Sequence, residues 1–238
     1  MSAPRTEIFD DAGQFASRAA AWIAGVIAAK GGRFRIALTG GETPRALYRE
    51  LGARFQGSVD WTSVEFFWGD ERFVPPEDPA SNYRMARDTL LAQIPAREAN
   101  IHPIPTSGDP DQAARTYEAT LKRAYGADSL DPARPLFDLV LLGLGDDGHI
   151  CSLLPGSPAL EERQRWVVPV AHGRPEMRIT LTYAPIQSSR VTAFLVVGEK
   201  KAEAVRAVRA GDAALPGARL QPESELVWLL DRAAAKLI

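Results

Sequence analysis

Residues 137–149 read FDLVLLGLGDDGH, an apolar run that passes without a break into a turn carrying two aspartates and a histidine. The apolar side chains of residues 137–142 fall on both faces of an extended chain, as they do in a central parallel strand covered by helices on each side. The stretch therefore predicts an α/β fold whose central strand ends at a polar turn.

The rest of the chain alternates strand, turn and helix in the same way. Strands are predicted over residues 33–38, 64–68, 137–142, 166–170, 178–182, 191–197 and 225–230. Helices are predicted over residues 11–30, 44–51, 81–91, 111–125, 200–209 and 231–237. This order favours a single domain over residues 1–238, with a doubly wound, mostly parallel, Rossmann-like sheet and helices on both faces.

The composition is typical of a soluble globular protein in a reducing compartment. The 238 residues carry a formal net charge of -2, so no overall charge attracts nucleic acid or an acidic membrane. Cys151 is the only cysteine, which excludes an intramolecular disulfide. Residues 1–10 lack the apolar core of a secretory signal, and the apolar stretch at residues 15–29 is too short to span a bilayer. We expect a cytoplasmic monomer or small homo-oligomer with no nucleic-acid or membrane partner.

Polar or glycine-rich segments follow four of the predicted strands, after Leu38, Trp68, Leu142 and Val197. In doubly wound sheets, ligands bind at the carboxyl ends of the strands. We therefore expect the four segments to converge on one site, and this convergence carries more weight than any single motif.

The turn TGGETP at residues 39–44 leads from a predicted strand into a predicted helix. Gly40 and Gly41 let the backbone approach an anion, and the helix amino terminus adds unpaired N–H groups. Thr43 is predicted to cap that helix, with Pro44 at its first position. The turn thus suits a phosphate, although an ordinary tight connection between strand and helix explains it equally well.

Three consecutive charges, Asp70, Glu71 and Arg72, come just after the second predicted strand. Three charges do not fit inside an apolar strand core, so the triplet is predicted to mark a rim. An isolated triplet of this kind is most simply a solvated loop, although Trp68 and Phe73 flank it and limit its exposure.

His149 is one of three histidines and follows a turn built on two glycines. At a strand end it is placed to act as a general base or acid near neutral pH, and Asp147 can orient its ring. A surface histidine in a polar turn is the alternative. His102 and His172 lie in loops with proline or glycine neighbours, and no role is predicted for them.

No metal site, cofactor or covalent nucleophile is expected. The chain has no H-x-x-x-H, H-E-x-x-H or C-x-x-C spacing and no G-x-S-x-G nucleophile elbow. Cys151 is predicted to be a small buried residue. Arg178 and Lys201 each stand at an element boundary, where they can balance a phosphate dianion in combination with the glycine turn.

The chain resembles the 6-phosphogluconolactonase family in five blocks: LTGGETP at 38–44, WGDERFVP at 68–75, SNY at 81–83, GLGDDGH at 143–149 and VGEKKAEA at 197–204. The D-G-H block is shared with a sister family, the glucosamine-6-phosphate deaminases, whose fold this chain is expected to have. Those deaminases carry a glutamate five residues after the histidine, and Leu154 stands there instead.

The resemblance implies hydrolysis of 6-phospho-D-glucono-1,5-lactone to 6-phospho-D-gluconate, the second step of the oxidative pentose phosphate pathway, without metal or cofactor. It implies that His149 is the general base that activates water and that Asp147 holds its imidazole. Asp70 and Arg72 would position the sugar hydroxyls or support the site.

The resemblance also implies where the substrate phosphate binds. The phosphate would sit on the turn of Gly40, Gly41 and Thr43, with Arg178 and Lys201 as counter-charges. The choice of Lys201 over the preceding lysine rests on the family register alone.

Two other functions stay open. One is an aminosugar-phosphate deaminase or isomerase, against which Leu154 counts. The other is a non-catalytic sugar-phosphate sensor, a class in which this fold is joined to a DNA-binding module. The chain shows no amino-terminal helix-turn-helix and no basic stripe, and it keeps His149.

Overall fold

The computed structural model describes residues 4–222 and 225–238. Its strands are β1 (Arg5–Phe9), β2 (Phe34–Leu38), β3 (Val64–Trp68), β4 (Asp70–Arg72), β5 (Phe137–Leu142), β6 (Val167–Val170), β7 (Arg178–Leu181), β8 (Ser189–Val196) and β9 (Glu225–Asp231). Its helices are α1 (Ala12–Lys30), α2 (Glu42–Phe55), α3 (Asn82–Thr89), α4 (Pro110–Tyr125), α5 (Tyr183–Gln187) and α6 (Ala202–Arg209).

The main sheet has six parallel strands in the order β1-β9-β8-β5-β2-β3. β5 lies inside the sheet between β8 and β2, and all six of its residues are buried. The predicted central parallel strand is therefore confirmed. Asp138, its one charged residue, has ion-pair partners in Lys30 and Arg190, which offset the cost of burying a carboxylate.

The connections run in opposite directions from the two neighbouring strands β2 and β5. The chain passes from β2 to β3 toward one edge of the sheet, and from β5 to β8 toward the other. Because such crossovers are right-handed, α1 and α2 cover one face and α5 and α6 the other. The doubly wound architecture is thus confirmed, and the crevice between the carboxyl ends of β2 and β5 is the place where such sheets bind ligands.

A second sheet has three antiparallel strands in the order β4-β7-β6. Gly69 joins it to the main sheet, since its N–H donates to Leu38 O at 2.9 Å and its carbonyl accepts from Leu181 N at 2.8 Å. A side chain at Gly69 would meet Cys151 Sγ at 2.8 Å from its Cβ, so the crossing point accepts only glycine without rearrangement. The predicted strands at 166–170 and 178–182 form, but in this separate sheet.

The solvated loop, the simplest interpretation of an isolated charged triplet, does not form at residues 70–72, because these residues make up β4 and are largely buried. Glu71 is 1% exposed, and its carboxylate accepts hydrogen bonds from the backbone N–H groups of Arg72, Asn82 and Tyr83 and from Ser81 Oγ. These donors lie around the amino terminus of α3, where a negative charge is favourable. The four hydrogen-bond donors offset the cost of burying this carboxylate.

Thr43 does not cap α2, which corrects a second prediction. The cap is Gly41, whose φ of 109° favours glycine, and the helix already begins at Glu42. The closing helix predicted over residues 231–237 does not form: Asp231 ends β9 and residues 232–237 form turns, with the Asp231 carboxylate accepting from Gly198 N and Ala234 N. β1 was not predicted, because only Phe9 of its five residues is buried.

One hydrophobic cluster takes in residues of both sheets, from Phe9 to Ala235. We propose on this basis that the chain is a single domain. In the described part of the chain, no helix is both long and apolar enough to cross a membrane.

Candidate active site

A cleft of about 200 Å³ lies at the carboxyl ends of β2, β3 and β5. It is bounded on one side by the small sheet and on another by the start of α6. The cleft is lined by Thr39, Gly40, Gly41, Asp70, Arg72, Asn82, Gly143, Leu144, Gly145, His149, Cys151, Arg178 and Lys201. The four strand-end segments expected to meet do so here.

Most of the predicted site residues line this cleft. They are Gly40, Gly41, Asp70, Arg72, His149, Arg178 and Lys201. Asp147 stands behind His149, and Thr43, the second residue of α2, is not among the lining residues. A larger depression of about 560 Å³ beside β6 holds mainly apolar side chains and no comparable set of charges.

His149 and Asp147 form a hydrogen-bonded pair. His149 Nδ1 lies 2.5 Å from Asp147 Oδ1, and the backbone N–H of His149 donates to the same oxygen at 3.3 Å. A carboxylate only accepts hydrogen bonds, so Nδ1 carries the proton and Nε2 is left with a lone pair. That arrangement suits a general base.

Two glycines build the turn that presents this pair. The Gly145 N–H donates to His149 O at 2.9 Å, and the Gly148 N–H donates to Gly145 O at 3.0 Å. Gly148 has a φ of 72°, a conformation that favours glycine. A Cβ built on Gly145 would lie 1.9 Å from His149 Nδ1, so the imidazole occupies the space that a side chain would need.

Burial is the largest single influence on Asp147 and opposes its ionisation, but the hydrogen bonds from the side chain and backbone of His149 and the nearby charges together outweigh it and lower the pKa of the carboxyl. The nearby charges of His149 and Arg174 act in the same direction. Arg174 Nη2 lies 3.3 Å from Asp147 Oδ2, the oxygen that does not face the imidazole. The carboxylate therefore stays ionised and can stabilise a protonated His149.

Asp70 is held in place by three neighbours from different elements. Its Oδ2 accepts from Ser152 Oγ at 2.7 Å and lies 3.9 Å from Arg178 Nη1. The Asn82 side-chain amide donates to the Asp70 backbone carbonyl at 2.9 Å and lies 3.4 Å from Oδ1. The carboxylate is thus a rigid acceptor at the floor of the cleft.

Arg72 and Arg178 are directly opposite each other on the antiparallel strands β4 and β7. Burial lowers the pKa of Arg178, and the like charge of Arg72 lowers it further, whereas the carboxylate of Asp70 raises it. Within the described residues, the Nε atoms of both arginines are buried without a hydrogen-bond partner. Two partly buried guanidinium cations side by side repel each other, and a bound anion relieves this repulsion. The pair is therefore suited to bind an anion.

Lys201 enters the cleft from the turn before α6 and forms an ion pair with Asp146 at 2.6 Å. Lys200 is exposed and does not line the cleft. The family register used to choose between the two lysines therefore agrees with the geometry.

The glycine turn after β2 packs tightly against the start of α3. A Cβ on Gly40 would lie 1.8 Å from Asn82 Oδ1, so this position admits only glycine as long as Asn82 is in place. Gly41 then starts α2 with a φ of 109°. Backbone N–H groups at the first turn of α2 are thereby directed at the cleft.

Several residues of the site were not singled out as functional from the sequence. Thr39 and Asn82 line the cleft, and Ser152 and Arg174 hold its two carboxylates. The S-N-Y block contained Asn82 and was a usable signal, whereas nothing local marked Ser152 or Arg174. Cys151 is buried as predicted, with the unusual φ of 50° for a residue other than glycine, and burial raises the pKa of its thiol well above the ordinary value.

The other histidines lie outside the cleft. His102 stacks on Phe67 with ring centroids 4.6 Å apart, and His172 Nε2 lies 3.2 Å from Pro155 O. In the described part of the chain, no cluster of three histidine, cysteine or acidic side chains is arranged to hold a metal ion. Metal independence remains a prediction that requires a chelator experiment.

Comparisons with known proteins place this chain in a family. Residues 10–228 match the family described as glucosamine-6-phosphate isomerases/6-phosphogluconolactonase. The chain is 43% identical over 244 residues to the 6-phosphogluconolactonase of Mycobacterium tuberculosis, covering 97% of each chain. It is 42% identical over 212 residues to that of Synechocystis, covering 87% of this chain and 86% of the relative.

Solved structures extend the comparison to the fold. The 6-phosphogluconolactonase from Trypanosoma cruzi superposes with a TM-score of 0.85 at 29% identity, covering 99% of this chain and 97% of that one. A monomeric glucosamine-6-phosphate deaminase superposes with a TM-score of 0.83 at 24% identity, covering 98% of this chain and 100% of that one, and shares the fold. The chain belongs to the glucosamine-6-phosphate isomerase/6-phosphogluconolactonase family.

Proposed function

We propose that this protein hydrolyses 6-phospho-D-glucono-1,5-lactone to 6-phospho-D-gluconate, the second step of the oxidative pentose phosphate pathway. The observation that carries the proposal is the pairing of His149 Nδ1 with Asp147 beside a cleft that also holds buried arginines. The names of the relatives at about 40% identity support the same substrate.

In the proposed reaction, His149 Nε2 takes a proton from a water molecule as the water oxygen attacks the lactone carbonyl. The imidazolium is stabilised by the ionised Asp147 carboxylate on its other nitrogen. As the bond from the carbonyl carbon to the ring oxygen breaks, the imidazolium returns the proton to that oxygen. The products are a carboxylic acid, which ionises, and a free hydroxyl, so water has been added across the ester bond.

The phosphate of the substrate is proposed to bind between the glycine turn and the cations. Gly40 and Gly41 bring backbone N–H groups of α2 to the cleft, and Arg178 and Lys201 supply positive charge. Thr43 remains a proposed contributor through its backbone N–H only, because its side chain does not line the cleft.

Asp70 and Arg72 are proposed to orient the sugar. The Asp70 carboxylate is fixed by Ser152, so it can accept hydrogen bonds from sugar hydroxyls without reorganising. Arg72 Nη1 donates to Ala80 O at 2.6 Å, which fixes the guanidinium at the rim. Arg72 therefore faces the substrate with its remaining N–H groups.

This machinery is sufficient for the reaction proposed. A δ-lactone already hydrolyses spontaneously in water, so a positioned base contributing on the order of a hundredfold to ten-thousandfold, together with orientation, gives effective turnover. Because Leu154 is buried and apolar where the deaminases carry a glutamate, the ring-opening chemistry of that family lacks one of its groups.

The test is hydrolysis of freshly prepared 6-phosphoglucono-δ-lactone by wild-type protein, with and without a chelator, corrected for the spontaneous rate. Acceleration that survives the chelator is expected. Ammonia released from glucosamine 6-phosphate would instead indicate a deaminase. Tight binding of phosphosugar without turnover of either compound would indicate a sensor and overturn the proposal.

The remaining expectations are part of the same proposal. We propose a cytoplasmic enzyme that acts as a monomer or small homo-oligomer and has no nucleic-acid partner. Cell fractionation, size-exclusion chromatography with light scattering, and a DNA-binding assay test these statements separately. One relative carries the word chloroplastic in its name, so location varies among relatives.

A further inference from the structure

Arg174 lies outside the cleft lining, on the loop between β6 and β7, yet its guanidinium reaches the catalytic pair. Arg174 Nη2 is 3.3 Å from Asp147 Oδ2, while His149 Nδ1 occupies Oδ1 of the same carboxylate. One oxygen of Asp147 thus faces the imidazole and backbone N–H of His149, and the other faces Arg174. Because Nδ1 of the imidazole is hydrogen-bonded to this carboxylate, Nε2 is the ring nitrogen left to accept a proton.

The loop that carries Arg174 is attached to the body of the protein on both sides of it. On one side, His172 Nε2 lies 3.2 Å from Pro155 O, and a Cβ on Gly173 would lie 3.5 Å from Leu154 Cδ1. On the other side, the Phe73 N–H donates to Met177 O at 2.8 Å. Arg174 is thus held over Asp147 by its flanking residues.

We propose that Arg174 is a positioning residue for the reaction: it fixes the carboxylate of Asp147 and places a positive charge beside the imidazole of His149, with Nη2 3.4 Å from Nδ1. This inference rests on the proposed function. A cation near the imidazole disfavours its protonated form, and a cation on Asp147 weakens the pull of that carboxylate on the proton. Both effects act in the same direction.

Other charges also face His149 from the surrounding elements and set its environment in wild type and variant alike. They are Asp146 in the turn after β5, Lys201 just before α6, Asp70 and Arg72 on β4, and Arg178 on β7, together with the buried Cys151 thiol, whose pKa is raised by burial. These side chains stay the same when Arg174 is replaced, although the charge of Arg174 also contributes to lowering the pKa of Arg178.

The test compares Arg174→Gln, Arg174→Lys and a control, Arg163→Gln. Arg163 forms a more exposed ion pair with Glu161 at 3.1 Å and does not line the cleft, so it controls for the loss of a surface arginine. The pH dependence of kcat and KM is measured for each. In parallel, the His149 imidazole is titrated by NMR, with His149→Asn used to assign its signals.

For Arg174→Gln we expect the acidic limb of the kcat/KM profile and the NMR titration to move to higher pH by about half a unit to one unit. We expect kcat at neutral pH to fall severalfold with little change in KM. Arg174→Lys restores most of both, because a lysine keeps the charge, and Arg163→Gln behaves as wild type.

Two results would overturn the inference. One is an unchanged pH limb together with an unchanged titration. The other is a large rise in KM with kcat preserved, which would make Arg174 a substrate-binding residue. The NMR titration needs no turnover, so a wild-type protein that fails to hydrolyse the lactone while still showing the shift would refute the proposed function and keep the coupling of Arg174 to His149.

Discussion

The imidazole of His149 fills the space that a side chain at Gly145 would need: a Cβ on Gly145 would lie 1.9 Å from His149 Nδ1 and 2.5 Å from Asp147 Oδ1. The hydrogen bond between the imidazole and the carboxylate therefore exists only because position 145 has no side chain. The glycines of the G-L-G-D-D-G-H block serve the geometry of the base as well as the turn.

Gly145→Ala is expected to lower kcat by about tenfold to a hundredfold, because the new methyl group displaces the imidazole from its working position. Steady-state kinetics on the lactone measure the effect. Gly57→Ala is the matched control, since a Cβ there meets no atom within 4 Å. A fully active Gly145→Ala protein would show that the turn can shift at no cost, contrary to this account.

The buried Glu71 is expected to make stability depend on pH. Burial raises the pKa of Glu71 above its ordinary value, although backbone N–H donors from Asn82, Tyr83 and Arg72 oppose the shift. A group whose pKa is raised on folding stabilises the folded protein at low pH, and this contribution is lost as pH rises through the folded pKa.

Comparison with Glu71→Gln tests this expectation. The free energy of unfolding of wild type relative to Glu71→Gln should decrease as pH rises from about 4, the ordinary glutamate value, toward neutrality. Urea denaturation at several pH values gives the difference. A difference that grows with pH would mean that the N–H donors dominate and hold the pKa of Glu71 below its ordinary value.

Arg178→Gln is expected to weaken binding of the phosphorylated substrate in particular. Removing one cation from a charge-assisted phosphate contact costs about 1.5 to 3 kcal/mol, which corresponds to a rise in KM of roughly tenfold to a hundredfold. Hydrolysis of the unphosphorylated δ-lactone should change far less. Equal losses on both lactones would place Arg178 at the reacting carbonyl or at the fold, with a thermal unfolding curve deciding between these.

The fold was predictable where hydrophobic pattern decides it. β5 carries apolar side chains on both faces and lies inside the sheet, and four polar strand ends meet because parallel strands share one edge. The charged triplet at residues 70–72 was predicted to mark a rim, but not to form a buried strand of the small sheet. Composition does not reveal that an acid at position 71 will find three N–H donors supplied by residues 72, 82 and 83.

The sequence motifs of the candidate site were predictable, whereas the residues that hold the motif side chains in place were less so. His149, Asp147 and the glycines stand in one short block, so local reasoning found them. Arg174 reaches Asp147 from a loop that follows β6, and Ser152 reaches Asp70 across the two sheets. Contacts of this kind depend on how the sheets are joined at Gly69, which no local pattern encodes.

The central claim is that His149 is the base of a lactone hydrolase. Its most direct test is the enzymatic rate of 6-phosphoglucono-δ-lactone hydrolysis, above the spontaneous rate, for wild type and His149→Asn, with circular dichroism confirming that both are folded. We predict a loss of at least about a hundredfold in kcat with KM largely preserved. A folded His149→Asn protein that matches the wild-type rate would contradict the account.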